Sequence, residues 1–250
     1  MGGEPGDITE DTVLGGRVRL AQPAKGYRAG LDAALLAAAC DARPGERVLE
    51  AGCGVGGALL AAATRRAEAH FTGLERDEAA AALCARNIAG NDLTERVEVQ
   101  VANIDAPFRG LGLDRFDAVM ANPPFFDDPT TLRAPAAAKR GAWIADAGLE
   151  GWIAFLLTAA RDGGTITVIH RADRLADLLA GLGDKAGSFA VRPIHPFADQ
   201  PAKRVLVRAV RGGRAPLRLL PPLVMHDQAG AKHSVALEAI LRGEADLDWG

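Results

Sequence analysis

From Arg47 to Val207 the chain alternates short β-branched, apolar runs with Ala- and Leu-rich segments of helical period, and that alternation leaves few folds open. Arg47 to Ala51, His70 to Glu75, Val97 to Val101, Phe116 to Ala121, Thr165 to Ile169, Phe189 to Val191 and Val205 to Val207 read as strands. Ala58 to Arg65, Glu78 to Ile88, Leu149 to Ala160 and Asp173 to Leu182 read as helices between them. Strand, helix, strand in succession means parallel neighbours joined by crossover helices. The expected fold is therefore α/β, a doubly wound, mostly parallel, seven-stranded sheet. Ligands of such sheets bind outside the carboxyl ends of the strands, where the order reverses.

Two stretches fall at such ends. Glu50-Ala51 runs into Gly52-Cys53-Gly54-Val55-Gly56-Gly57, and Gly52-x-Gly54-x-x-Gly57 satisfies a dinucleotide fingerprint. Glu75, 21 residues after Gly54, is the acidic residue expected at the next strand tip to hold ribose hydroxyls. The same glycines serve any cofactor whose backbone approach must be close. Glu50 discriminates, because a carboxylate beside a pyrophosphate repels it whereas it orients an ammonium. A sulfonium nucleoside, S-adenosylmethionine, fits better than a nicotinamide dinucleotide. The third strand ends at Asn103 or Asp105, either of which reads the cofactor adenine or simply caps the following turn.

The second stretch is Asn122-Pro123-Pro124-Phe125-Phe126. Two prolines cannot continue a sheet, since neither has the N–H that the ladder needs. A carboxamide at the strand tip, carbonyls fixed beside it and an aromatic face after them can accept both hydrogens of a planar amine and stack on its ring. Asn122, Pro123 and Phe125 are the candidate catalytic residues, with Pro124 and Phe126 beside the substrate.

Glu50-Ala51-Gly52-Cys53-Gly54 resembles motif I of the class I S-adenosylmethionine-dependent methyltransferases, and Asn122-Pro123-Pro124-Phe125 resembles the signature of those that methylate amino groups of bases or glutamine. Leu14-Gly15-Gly16-Arg17, Gln22-Pro23, the stretch from Gly26 through Arg28 to Ala37, and Pro221 to His226 are similar to the bacterial valine-tRNA adenine-N6 methyltransferases. The resemblance implies a Rossmann-like fold and transfer to the adenine beside an anticodon, with a tRNA anticodon loop as partner. It departs at Asn103, where that family commonly has aspartate. Candidate cofactor residues are then Arg28, Asp32, Glu50, Gly52, Gly54, Gly56, Glu75, Asn103 and Asn122. Arg28 and Asp32 either line that pocket or serve locally, Asp32 at a helix dipole; Tyr27 is either a base contact or core.

The chain has 250 residues with 48% hydrophobic, enough for one full core, and three divisions are expected. These are an N-terminal extension of hairpin and helix over 1–43, a cofactor domain over 44–215 and a tail over 216–250. Residues 1–11 look frayed, and 127–148 look like a lid. The apolar windows are too short to span a bilayer and the start lacks a signal-peptide pattern, so a soluble, cytoplasmic protein is expected. Cys40, Cys53 and Cys84 read as buried free thiols, and no His or Cys spacing suggests a metal.

A net charge of -3 argues against coating nucleic acid by bulk charge. Two acid-free basic stretches, Arg17 to Arg28 and Lys203 to Arg218, would make a phosphate-tracking face if they met; otherwise they are solvated surface. Lys203 and Arg204 are the candidate substrate contacts. Competing readings are a glutamine-amide methyltransferase acting on protein, a non-catalytic RNA-binding or cofactor-sensing scaffold, and a hydride-transfer enzyme.

Overall fold

A computed structural model describes residues 7–25, 28–124, 148–227 and 232–250. Tyr27, Phe125, Phe126 and, apart from Gly148, the expected lid lie outside the described residues.

The hairpin comes first. β1 (Ile8–Val13) pairs antiparallel with β2 (Val18–Pro23) around a turn in which Leu14, Gly15 and Gly16 all have positive φ. Residues 8–11, expected to fray, are instead the first four residues of β1, because each pairs with the 20–23 segment. Asn87 bolts the ribbon to the body. Its side chain exchanges both hydrogen bonds with the Ala21 backbone at 2.9 Å and donates a third to the Val55 carbonyl.

The body follows the expected order: β3 (Arg47–Ala51), α2 (Gly57–Arg65), β4 (His70–Glu75), α3 (Glu78–Gly90), β5 (Val97–Val101), β6 (Phe116–Ala121), α4 (Gly148–Ala159), β7 (Ala160–Arg171), α5 (Leu175–Gly183), β8 (Ala186–His195) and β9 (Arg204–Arg211), preceded by α1 (Leu31–Ala39). The sheet order is β10-β8-β9-β7-β6-β3-β4-β5, with β11 also on β8. β10 (Arg218–Leu219) and β11 (Leu223–Val224) are two-residue pieces; the other seven strands are the expected ones. β9 is antiparallel to both neighbours, wedged between β7 and β8, and the rest pair parallel. This is the expected doubly wound, mostly parallel sheet, with one antiparallel strand.

Both faces are covered. Val48 and Met120 pack with α1, α2 and α3 on one side, while Leu49, Val119 and Ile166 pack with Trp152, Phe155 and Leu156 of α4 and with Leu178 of α5 on the other. Buried on both sides, the central strands read as near-continuous apolar runs. The tail closes the first face through α6 (Val235–Arg242), which Ser234 caps by accepting from the Leu237 N–H. Carbonyls at the end of α1 have no partner within the helix. The tail supplies them, through Leu247 N–H to Ala38 and the Trp249 indole to Ala39 at 2.8 Å. No helix among the described residues is long and apolar enough to cross a membrane.

Candidate active site

Strand register assembles one rim. Ala51 of β3 is level with Leu74 of β4 and Ala121 of β6, and Glu75 is level with Val101 of β5. Gly52, Glu75, the Ala102-Asn103 turn and Asn122 therefore emerge side by side from four adjacent parallel strands. At about 4.8 Å per strand, Asn122 stands about 5 Å from the Gly52 strand and about 10 Å from the Glu75 strand.

The glycines divide two tasks. Gly52 has φ +69°, and a Cβ there would lie 2.5 Å from the Trp152 ring, so this position serves close packing under α4. Gly54 has φ +55°, and nothing lies within 4 Å of where its Cβ would be. Its backbone faces open space, as close ligand approach requires. Gly56 ends the loop in left-handed conformation as the N-cap of α2. Glu75 Oε2 accepts the Gly54 N–H at 2.8 Å and Oε1 accepts the Asp77 N–H at 2.9 Å. The carboxylate thus shapes the loop, with lone pairs remaining for hydroxyl donors.

Glu50 is a carboxyl held out of water. It is 3% exposed, and its Oε2 meets no hydrogen-bond partner among the described residues. Burial, then the neighbouring Cys84 and Glu75, push its carboxyl well above the usual carboxylate range, against a lowering pull from the Leu59 backbone N–H in the first turn of α2. A buried acceptor without a partner is costly. A cation delivered to it would be held strongly, which fits the ammonium of an amino-acid cofactor. Beneath the loop Cys53 and Cys84 are buried thiols, Cys53 driven up by its hydrogen bond with Cys84 and by desolvation. They pack rather than react.

Several sequence-derived candidates have other company. The Arg28 guanidinium bonds Asp11 at 2.5 Å, Thr9 and the Pro23 carbonyl, so it ties the hairpin to the start of α1. Asp32 pairs with Arg204 at 3.1 Å. These contacts anchor both side chains beside the start of α1, Arg28 to the hairpin and Asp32 to β9. Asn103 is exposed and caps its own turn, accepting from the Asp105 N–H at 3.1 Å and donating to the Asp105 carboxylate. Pro123 is buried and Asn122 and Pro124 half-buried.

Several guanidiniums of the two basic stretches are tied to acceptors in the fold. Arg17 donates to the carbonyls of Arg242 and Gly243, Arg19 to that of Gly90, Arg208 pairs with Asp41, Arg211 with Asp162, and Arg218 reaches the Gly250 carbonyl. Guanidiniums with several donors suit this stitching. Lys203 stays exposed, just ahead of β9 on the same rim.

Two contributors escaped sequence reasoning. Trp152 covers Gly52 from α4. His170, 4% exposed on β7, lies one residue past the level of Asn122, since Ala121 pairs with Val168. Burial and then Arg174, Arg204 and Arg171 bring its pKa down to about 4, leaving a neutral imidazole at the rim. The signal was a histidine directly after the apolar run Ile166 to Ile169. Among the described residues no cluster of three or more His, Cys, Asp and Glu could hold a metal.

With that geometry in hand, similarity to known proteins is informative. Residues 28–138 match the methyltransferase small domain family. The chain is 31% identical to the tRNA1(Val) (adenine(37)-N6)-methyltransferase of Porphyromonas gingivalis, over 60% of this chain and 61% of that protein. It is 32% identical to the rRNA N(6)-adenosine-methyltransferase metl-5 of Caenorhabditis elegans, over 32% of this chain and 38% of that one. The alignments thus span under two thirds of these curated relatives. In three dimensions it matches the crystal structure of a predicted O-methyltransferase from Agrobacterium tumefaciens with a TM-score of 0.72 and 28% identity, covering 86% of this chain and 98% of that one.

Proposed function

From a chain with the fold of the class I S-adenosylmethionine-dependent methyltransferases and their small-domain match, we propose an enzyme that transfers the cofactor methyl to the N6 amino group of adenine in RNA. The finer reading is adenine 37 in the anticodon loop of a valine tRNA, in line with the name of the Porphyromonas relative. The observation that carries the proposal is the juxtaposition of Asn122-Pro123 with a glycine loop whose buried Glu50 has a vacant acceptor.

Glu50 would hold the cofactor ammonium, Gly54 would give its backbone close approach, and Glu75 would take the ribose hydroxyls. When bound, S-adenosylmethionine supplies an electrophilic methyl on a sulfonium. An exocyclic adenine nitrogen is a poor nucleophile because its lone pair is delocalised into the ring. Asn122 Oδ1 and the Pro123 carbonyl accept its two N–H bonds, turning the nitrogen toward tetrahedral geometry with the lone pair facing the methyl. These bonds strengthen as positive charge grows on nitrogen, so they stabilise the transition state more than the ground state. The proton then leaves an acidified ammonium, and no strong base is needed. An aromatic ring following the prolines in sequence would stack on the base, worth about 1–3 kcal/mol, and anticodon loops present bases already unstacked.

An oxygen acceptor, the reading suggested by the description of the Agrobacterium chain, offers one hydrogen and leaves half of the acceptor pair idle. The test is incubation with methyl-labelled S-adenosylmethionine and separated total RNA and protein pools, followed by digestion. Label in N6-methyladenosine from tRNA is the expected result. Label in glutamine or on a hydroxyl overturns it.

A further inference from the structure

We infer that a row of three rings beyond the methyl-transfer cleft, Phe197, His226 and His233, is a stacking platform for unpaired nucleotides flanking the target adenine. The inference rests on the RNA reading above. β8 is antiparallel to β9, which is antiparallel to β7, so β8 runs with β6 and its carboxyl end opens on the same rim as Asn122. Phe197 lies two residues past that end, and His226 two past the end of β11, which runs beside it. Phe197 and His226 ring centroids are 5.3 Å apart, and His226 and His233 are stacked at 6.1 Å with 23° between planes.

The rings are locked from behind. His226 Nδ1 meets the Lys232 carbonyl at 2.5 Å, its backbone N–H donates to the Pro196 carbonyl, and His233 Nδ1 meets the Glu238 carboxylate at 3.1 Å. All three remain half-buried rather than packed into the core. Close to them in sequence, exposed side chains of both signs occur, Lys203 and Lys232 with Asp199 and Asp227, while Glu238 is taken up by His233 and Arg242. Pre-oriented, half-buried rings suit the stacking of unpaired bases against the end of the row. From β6 the platform is three strand steps away in the order β8-β9-β7-β6, about 15 Å. That separation fits neighbours of the methylated nucleotide in one loop and not the methylated base itself.

The test compares wild type, Phe197→Ala and Phe197→Trp on an anticodon stem-loop and on an adenosine trinucleotide too short to bridge the gap. Expected for Phe197→Ala is an increase in KM of about ten-fold on the stem-loop, with kcat unchanged, rescue by Phe197→Trp, and no change on the trinucleotide. Equal KM values on the stem-loop, or the same increase on both RNAs, overturn the platform. If wild type methylates neither RNA, the methylation reading falls by itself. Filter binding of the stem-loop then decides: weaker binding by Phe197→Ala than by wild type supports the platform, and equal binding overturns it.

Discussion

Replacing Glu50 by glutamine separates the cost of a buried carboxylate from its use. In the wild type Glu50 is 3% exposed with a vacant Oε2, and its carboxyl is held well above 4.5, chiefly by burial. Because the folded pKa is raised, the stability that Glu50 contributes is complete below 4.5 and drains away as pH rises through the folded value. A ligand ammonium reverses that loss by pairing with the ionised form, so affinity for an ammonium-bearing ligand rises with pH over the same interval. S-adenosylhomocysteine carries the ammonium without the reactive methyl and is the natural probe. A charge-assisted hydrogen bond of about 1.5–3 kcal/mol corresponds to about 10- to 100-fold in affinity. Calorimetric titration should show Glu50→Gln weaker by that factor once Glu50 is ionised, and without the rise in affinity with pH that wild type shows. Equal affinity in the two proteins, or a wild-type affinity that does not change with pH, refutes the assignment of Glu50 to the ammonium.

Asn122→Ala should lower kcat by about 10²–10³ with S-adenosylhomocysteine affinity changed far less, as measured by single-turnover methylation beside calorimetry. Gly52→Ala should cost about 2–5 kcal/mol in urea unfolding, summing left-handed backbone strain and the clash with Trp152; in a Trp152→Leu background only the backbone part, about 1–2 kcal/mol, should remain. His170, with a folded pKa of about 4 against 6.5 when unfolded, contributes stability present above 6.5 and lost as pH falls toward 4. The loss is worth about 3 kcal/mol, so a His170→Gln protein should show a flatter fall in unfolding free energy between pH 6.5 and 4. Asp32→Asn should loosen Arg204, and if that arginine then meets phosphate the salt dependence of RNA binding should steepen.

Much of the sheet was legible because its signals are local. A run such as Arg47 to Ala51 needs only its own residues to declare a strand, and Pro123-Pro124 needs only its missing donors to end one. The glycine loop, Glu75 and Asn122 therefore stood out before any coordinates, at strand tips where doubly wound sheets bind ligands. The hairpin beginning at residue 8 was harder, since polar Thr9, Glu10 and Asp11 lack an apolar face and owe their order to pairing with 20–22 and to Arg28.

Sequence by itself thus determined the alternation, the points where the chain must leave the sheet and the acceptor chemistry waiting there. Only the tertiary structure decided that Arg28 and Asp32 are committed to Asp11 and Arg204, that the tail completes the end of α1, that β9 enters antiparallel, and that Phe197, His226 and His233 form one row. The physical reason is range. A strand period or a proline acts on its neighbours, whereas a guanidinium choosing one carboxylate 172 residues away, or a carboxylate losing its water, depends on which surfaces packing brings together.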